Sequence, residues 1–226
     1  MIKLPNFSSQ SLYDSETHFN LQMDRERLSK FLIHYEIFKK IIKIDGDIVE
    51  CGIFKGTSFV RLAMFRDLFK KKSKLAGFDF FGDIYPDTSF ENERKHRAYW
   101  IKTAGHSSIS KKQLENIFKK KKIKNFKLIK GDVLKTIPDY VKKNKNLKIS
   151  LLNIDLAFVE PTKCAIDYLY KKVSKNGIIL FDNYGGTGKD GTFYKGETKV
   201  VEDFLRKYKK KIKHFDFFER PAYVIK

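Results

Sequence analysis

Cysteine is scarce in this chain of 226 residues: there are two, Cys51 and Cys164, far apart and outside any CxxC or Cys/His cluster. A disulfide framework and a cysteine-based zinc site are therefore not expected. Long apolar runs are missing too. None approaches the roughly 18 residues that span a bilayer, and the opening MIKLPNFSSQ lacks the apolar core of a secretory signal. A cytoplasmic location without membrane insertion is the resulting expectation. Internal repeats and Pro/Gly-rich linkers are absent, so the chain reads as one domain over residues 1–226. Acids are in deficit, with 27 Asp and Glu against 47 Lys and Arg, which leaves a formal net charge of +20.

With 42% hydrophobic and 33% charged residues the composition is globular, and the length suits one α/β domain with a sizeable core. The positive balance points toward anionic partners. Its distribution, however, is in runs such as 70–72, 119–122 and 209–211, each closing an expected helix. Cations there complement the helix dipole and stay solvated. A lysine-rich surface is the main reading, and a field favouring an anionic small-molecule acceptor the secondary one.

Residues 1–20 are polar and irregular, an arm or cap. Residues 24–43 carry Leu28, Phe31, Leu32, Tyr35, Phe38, Ile41 and Ile42 at helical spacing after Asp24, a candidate N-cap. These segments form an N-terminal arm and cap helix over 1–45. Beyond them strands and helices alternate. Strands are expected at 47–50, 75–79, 126–130, 149–155 and 177–182. Helices are expected at 57–71, 111–121, 139–144, 161–173 and 199–208, with two short strands closing the chain. Residues 131–138 read as a turn. Residues 80–110 mix aromatics, charges and loop residues without a period, the mark of a lid or insertion. Nearly continuous apolar strands alternating with helices predict an α/β fold, a mostly parallel Rossmann-like sheet covered on both faces.

In such a sheet, ligands bind beyond the carboxyl ends of the strands. Four expected strands end in acids, Glu50, Asp79, Asp155 and Asp182, and a fifth runs into Gly131-Asp132. The stretch GDIVECGIFKGTSF has the pattern E-x-G-x-x-x-G, which misses both the dinucleotide fingerprint and the P-loop. GGTGKD at 185–190 misses the P-loop as well, because Asp190 stands where Ser or Thr is needed. A carboxylate opening the loop would repel a pyrophosphate and suit a cation. S-adenosylmethionine (SAM) carries a sulfonium and an ammonium and no phosphate. On this reading Glu50, Gly52, Gly56, Thr57 and Ser58 surround the methionyl part, Asp79 takes the ribose hydroxyls, and Asp132 and Val133 frame the adenine. The alternative for Glu50 is a carboxylate that only complements a helix dipole.

GDIVECGIFKGTSF, FDFFGDIYP, KLIKGDVLKTIP, IDLAFVEPTKCAIDYLY and GIILFDNYG, in that order, resemble the macrocin O-methyltransferase family, SAM-dependent sugar methyltransferases. The resemblance runs from about Met23 to about Phe204. It implies a class I methyltransferase fold, a homodimer and, in several members, a magnesium ion. Glu50, Gly52 and Gly56 match the family's loop, Asp79 and Phe81 its next motif, although Gly82 comes one place early, and Asp132 falls in its G-x-x-x-x-T-x-P stretch. The chain departs from the family where Ala157 replaces a second aspartate, Val159 a tyrosine, and Asp182-Asn183 an Asp-Asp pair. Either a cation ligand has been lost, or Asp155, Asp182 and Asn183 hold Mg²⁺ as in catechol-type cation-dependent methyltransferases. A third possibility is that both acids only bond loop amides.

Asp155 and Asp182 are the first candidates for a general base, and His106 in the lid segment is the second. Tyr85, Tyr99 and Trp100 could cover an acceptor, or only pack the lid. The leading function is methylation of a hydroxyl on a sugar, nucleotide-sugar or glycosylated molecule. Rivals are methylation of a catechol, carboxylate or amine, and a non-catalytic SAM-fold binding protein. A nucleic-acid methylase is disfavoured, since no Asn-Pro-Pro-Tyr-type motif follows the fourth strand.

Overall fold

The computed structural model describes residues 2–82, 88, 90–105, 107–186 and 194–226. Strands β1 (Asp47–Cys51), β2 (Leu75–Asp79), β3 (Phe126–Lys130), β4 (Ile149–Ile154), β5 (Val173–Phe181), β6 (Lys213–Phe215) and β7 (Phe218–Ile225) form a seven-stranded sheet in the order β3-β2-β1-β4-β5-β7-β6. β1 to β5 are parallel and β7 runs antiparallel to its neighbours. This is the Rossmann-like arrangement that the alternation of elements predicted. The order reverses at β1, and the strands on either side carry their ends to one crevice.

Alternate residues of each strand feed two cores, as the pleat requires. Ile48, Leu151, Ile178 and Leu180 pack with Ile33, Ile37, Phe38, Phe59 and Phe118. Val49, Leu152, Ile179 and Phe181 pack with Ile137, Tyr140, Leu169 and Phe204 on the other face. Helices α2 (Arg25–Ile41), α3 (Thr57–Leu68) and α5 (Lys111–Lys120) cover the first face; α6 (Val133–Lys143), α7 (Val159–Leu169) and α8 (Lys195–Tyr208) cover the second.

Several local expectations need correction. The arm at 1–20 contains a helix, α1 (Ser9–Gln22), which starts where the Ser8 side chain accepts from Ser11 N. Asp24 caps α2 through Arg27 N, yet α2 buries Ile33, His34, Ile37, Phe38 and Ile41, while Leu28, Leu32 and Tyr35 stay exposed. Apolar residues wrap most of this helix, so periodicity alone could not choose its inner face. Residues 131–138 read as a turn, yet 133–138 begin α6. Asp132 caps it, accepting from Leu134 N, and the helix carries Pro138 in its interior. The segment 80–110 contains α4 (Glu91–Ala104), which buries only Glu93 and His96. Its polar sequence masks the period because only one narrow stripe docks.

Glycine sets the crossing of the β1 and β4 loops. Gly52 has φ +90°, and a Cβ there would lie 1.9 Å from the Asp155 carbonyl oxygen. Asp155 N donates to Cys51 O at 2.8 Å, and Gly52 N donates to Phe78 O at 2.9 Å, so three strand ends are stitched together. Gly52→Ala is expected to cost about 3 kcal/mol or more, from left-handed strain and the clash together. Equilibrium urea unfolding measures this, and a loss below about 1 kcal/mol would contradict the crossing as described.

Candidate functional site

A cleft of about 810 Å³ opens over the carboxyl ends of β1, β2, β4 and β5, within the range of small-molecule sites. Gly52, Asp79, Asp132, Val133, Asp155, Asp182 and Asn183 all line it. A smaller cavity of about 430 Å³ adjoins it and shares Arg27, Lys30, Phe54 and Asp155 with it; Thr57 and Ser58, at the start of α3, line this second space. Gly56 precedes them with φ +85° and is the residue that turns the chain into α3.

Glu50 is not in the cleft. It is fully buried in β1, and Ser58 Oγ donates to its Oε1, while its Oε2 has no hydrogen-bond partner among the described residues. Burial pushes its carboxyl up to about 8, against the Ser58 hydrogen bond. The expectation of an exposed anion facing a cationic donor is corrected: at neutral pH this group is mostly protonated and ties β1 to the first turn of α3.

Asp79 is met by backbone. Its Oδ2 accepts from Ile53 N and Phe54 N, both at 2.9 Å, and its Oδ1 from Phe81 N at 2.8 Å. Burial raises its carboxyl above the usual range, opposed by these amides. The residue borders the cleft, but two of these bonds shape the loop after β1 and the third turns the chain after β2. Asp132 serves α6 as its cap while lining the cleft beside Val133 and Leu134.

Asp155 and Asp182 end β4 and β5, and α2 brings a lysine to them. Lys30 Nζ lies 2.6 Å from Asp182 Oδ2 and 3.6 Å from Asp155 Oδ2. Burial pulls the lysine down, but the two carboxylates outweigh it and its pKa is raised, so it stays an ammonium. Asp155 is raised by burial and by the charge of Asp182, against Lys30. Asn183 Nδ2 donates to Asp155 Oδ1 at 3.1 Å and to Glu197 Oε2 at 3.3 Å, which assigns its amide orientation. Glu197 comes from α8, is fully buried, and is held well above the carboxylate range by that burial and by Asp155.

The expected Mg²⁺ set of Asp155, Asp182 and Asn183 can be tested on this geometry. Magnesium needs oxygens at about 2.0–2.1 Å in an octahedron. Here an ammonium bridges the two carboxylates, and Asn183 turns its NH₂ toward Asp155. Ala157, buried with φ +62°, adds no donor. No cluster of three or more His, Cys, Asp or Glu among the described residues could hold a metal ion. These residues do not fit a divalent ion as arranged. His106 and Tyr85, and Gly188 to Asp190, lie outside the described residues.

Periodicity and strand-end logic missed several cleft residues. Arg27 and Lys30, on one face of α2, line both cavities, and His34, one turn further on, is buried; their placing is visible only once that helix is known to run with its start over the strand ends. Arg61, 8% exposed, borders the smaller cavity; its guanidinium lies 3.2 Å from His34 Nδ1 and 4.8 Å from the Phe31 ring centre, with no carboxylate partner among the described residues. His34 is fully buried, and burial beside Arg61 and Lys30 holds it well below its usual pKa, so it accepts as neutral imidazole. From α4, Tyr99 and Trp100 face the cleft. Glu93 Oε1 accepts from Val159 N at 2.6 Å, capping α7, and His96 packs 4.3 Å from Trp100 and 4.4 Å from Tyr194, ring centre to ring centre. No described helix is long and apolar enough to cross a membrane.

A mostly parallel sheet reversing at β1, with a glycine loop and acids at its carboxyl edge, is the arrangement of a class I SAM-dependent methyltransferase. The macrocin-O-methyltransferase (TylF) family model matches residues 21–214, and the chain belongs to that family. It is thus an O-methyltransferase whose methyl donor is SAM. Among solved structures it is similar to the calicheamicin methyltransferase CalS11, with 18% identity, TM-score 0.74 and coverage of 97% of this chain and 86% of that one. It is also similar to the O-methyltransferase NovP, with 16% identity, TM-score 0.71 and coverage of 87% of this chain and 79% of that one. A search of the curated proteins found no significant match.

The buried Glu50 carboxyl makes stability depend on pH. Its folded pKa is raised, so the folded state holds a proton that the unfolded chain gives up from about 4.5 upward. Its contribution is complete below that value and is lost as pH rises to about 8, at about 1.4 kcal/mol per pH unit. Glu50→Gln should flatten this decline between pH 5 and 8 in chemical denaturation. Parallel wild-type and variant profiles would refute the buried, protonated state.

Proposed function

We propose that this enzyme transfers the methyl group of SAM to a hydroxyl of an anionic sugar, with a nucleotide-sugar as the best fit. The supporting observation is the lining of the larger cleft, which puts aromatic faces (Tyr99, Trp100, Tyr194) and the guanidiniums of Arg27 and Arg220 around the strand-end carboxylates. Aromatic rings pack on sugar rings, and guanidiniums bind phosphate in bidentate fashion. A further support is the likeness to the apo structure described as TDP-rhamnose 3′-O-methyltransferase, at 20% identity, TM-score 0.67 and coverage of 97% of this chain and 87% of that one.

In this reading the adenosyl part of SAM lies along Asp79, Asp132, Val133 and Leu156. Its methionyl part extends into the smaller cavity past Gly52, Thr57 and Ser58. There the amino-acid carboxylate meets Arg61 and the first amides of α3. Glu50 and Gly56 act beneath, shaping the loop. Methyl transfer is an in-line displacement: the acceptor oxygen forms the C–O bond, the C–S bond breaks with its electrons left on a neutral thioether, and the hydroxyl proton must leave. Alignment is the main task. Asp155, the more exposed of the two strand-end acids, takes the proton, and Asp182 anchors Lys30.

A homodimer accompanies this reading. α1 buries none of its residues, although Leu12, Tyr13 and Leu21 are apolar and more than 60% exposed. A helix of 14 residues is marginal in water without a packed face, and a second copy would supply that face. Light scattering should return twice the chain mass, and a monomer at micromolar concentration would count against it.

Incubation with SAM and a panel of nucleoside-diphosphate sugars, read by product mass spectrometry, tests the acceptor class. A one-methyl gain on such a sugar is the expected result; methylation confined to catechols or amines would overturn it. Arg220→Ala should raise the acceptor KM about tenfold or more while the SAM Kd stays within about twofold. An unchanged KM would remove Arg220 from acceptor binding.

A further inference from the structure

The direction of α2 is what delivers a cation to the reacting end of the cleft. Its C-terminal end lies by the start of the sheet, where Lys71 Nζ donates to Ile44 O, so its first turns overhang the strand ends. Lys30 reaches down from there. Its side chain is 22% exposed and lines both cavities, while the side chains of Asp155 and Asp182 are 26% and 8% exposed. Two sheltered carboxylates need a counter-charge. Ala157 and Asn183 add none, and among the described residues Lys30 is the cation that ion-pairs with both acids, although Arg27 and Arg220 also border the cleft. The 2.6 Å contact to Asp182 uses one of the three ammonium protons. The 3.6 Å approach to Asp155 is an ion pair, not a hydrogen bond. Donor capacity therefore remains for a third oxygen arriving from the cleft.

We propose that Lys30 is the resident cation of this active site, occupying the position that a divalent ion would need and donating to the acceptor's reacting oxygen. The enzyme then works without a metal. The ammonium holds the hydroxyl oxygen toward the methyl group and steadies the negative charge that builds on it as the proton leaves for Asp155. With both carboxylates ionised, Asp155, Asp182 and Lys30 together carry one net negative charge, which suits an incoming sulfonium.

Titration with Mn²⁺ followed by electron paramagnetic resonance, on the full chain without SAM or acceptor, tests this directly. Wild type should show no Mn²⁺ site, and its turnover should be indifferent to EDTA. Lys30→Met keeps the stem and removes the charge, so it should bind Mn²⁺ at least about tenfold more tightly than wild type. Adding Asp182→Asn should abolish that gain, and Lys30→Arg, which keeps a cation, should not acquire it. Should Lys30→Met fail to fold by circular dichroism, Lys30→Gln takes its place. In turnover at saturating SAM, Lys30→Met should lose about 100-fold or more in kcat, and Lys30→Arg should recover part of it. A wild-type Mn²⁺ site that Asp182→Asn removes, EDTA inhibition reversed by Mg²⁺, or a folded Lys30→Met that binds no ion would overturn the proposal. The idea rests on the methyltransferase reading of the cleft. The Mn²⁺ readout needs no acceptor, so an error in acceptor class would leave its outcome unchanged.

Discussion

Sheltering a carboxylate from water costs several kcal/mol unless something answers its charge. Acids lie at or just beyond the ends of the five parallel strands of this sheet, and each is answered differently. Glu50 is buried deepest and keeps its proton. Asp79 is wrapped by three backbone amides. Asp132 caps a helix. Asp155 and Asp182 share the ammonium of Lys30. The loops that carry these answers are the walls of the cleft, so charge compensation and site construction are one problem.

This division has a chemical consequence. Glu50 and Asp79 act as structural fasteners of the loop after β1, and Gly52 lets that loop lie against the carbonyl of Asp155. At the ends of β4 and β5 the charged groups facing the cleft are Asp155, Lys30 and Asp182; Arg27, Arg220, Glu26, Asp132 and Glu160 line it as well. The smaller cavity is positive, with Arg27, Lys30 and Arg61 against Asp155. An amino-acid carboxylate suits it better than the acidic surroundings expected from Glu50. The donor's positive sulfur would then sit between this cationic end and the strand-end acids, where an in-line displacement has both its nucleophile and its proton acceptor.

Elements outside the sheet complete the cleft through tertiary contacts of unusual kinds. α4 docks by a buried Glu93 that caps α7 and by the His96–Trp100–Tyr194 cluster, not by an apolar stripe. α8 contributes Glu197, which meets Asn183 beneath the reacting centre. Polar docking of this sort holds only when every partner is in place, which suits elements that border a ligand.

The alternation of buried strands and helices, and the acids and glycines at the strand ends, are local patterns. They determined the Rossmann-like sheet, the strands near 47–51, 75–79, 126–130 and 149–154, and the edge at which the site lies. The β5 start, the helical nature of 9–22 and 91–104, and the inner face of α2 escaped, because polar or uniformly apolar stretches carry no period to read. The state of each acid was decided only by folding. Glu50 and Asp79 look alike in sequence, yet one meets a serine hydroxyl inside the core and the other a ring of amides. Lys30 is an ordinary helix lysine until α2 crosses the ends of β4 and β5. Charge state depends on burial and neighbours, and both are properties of residues far apart in the chain that only the tertiary fold brings together.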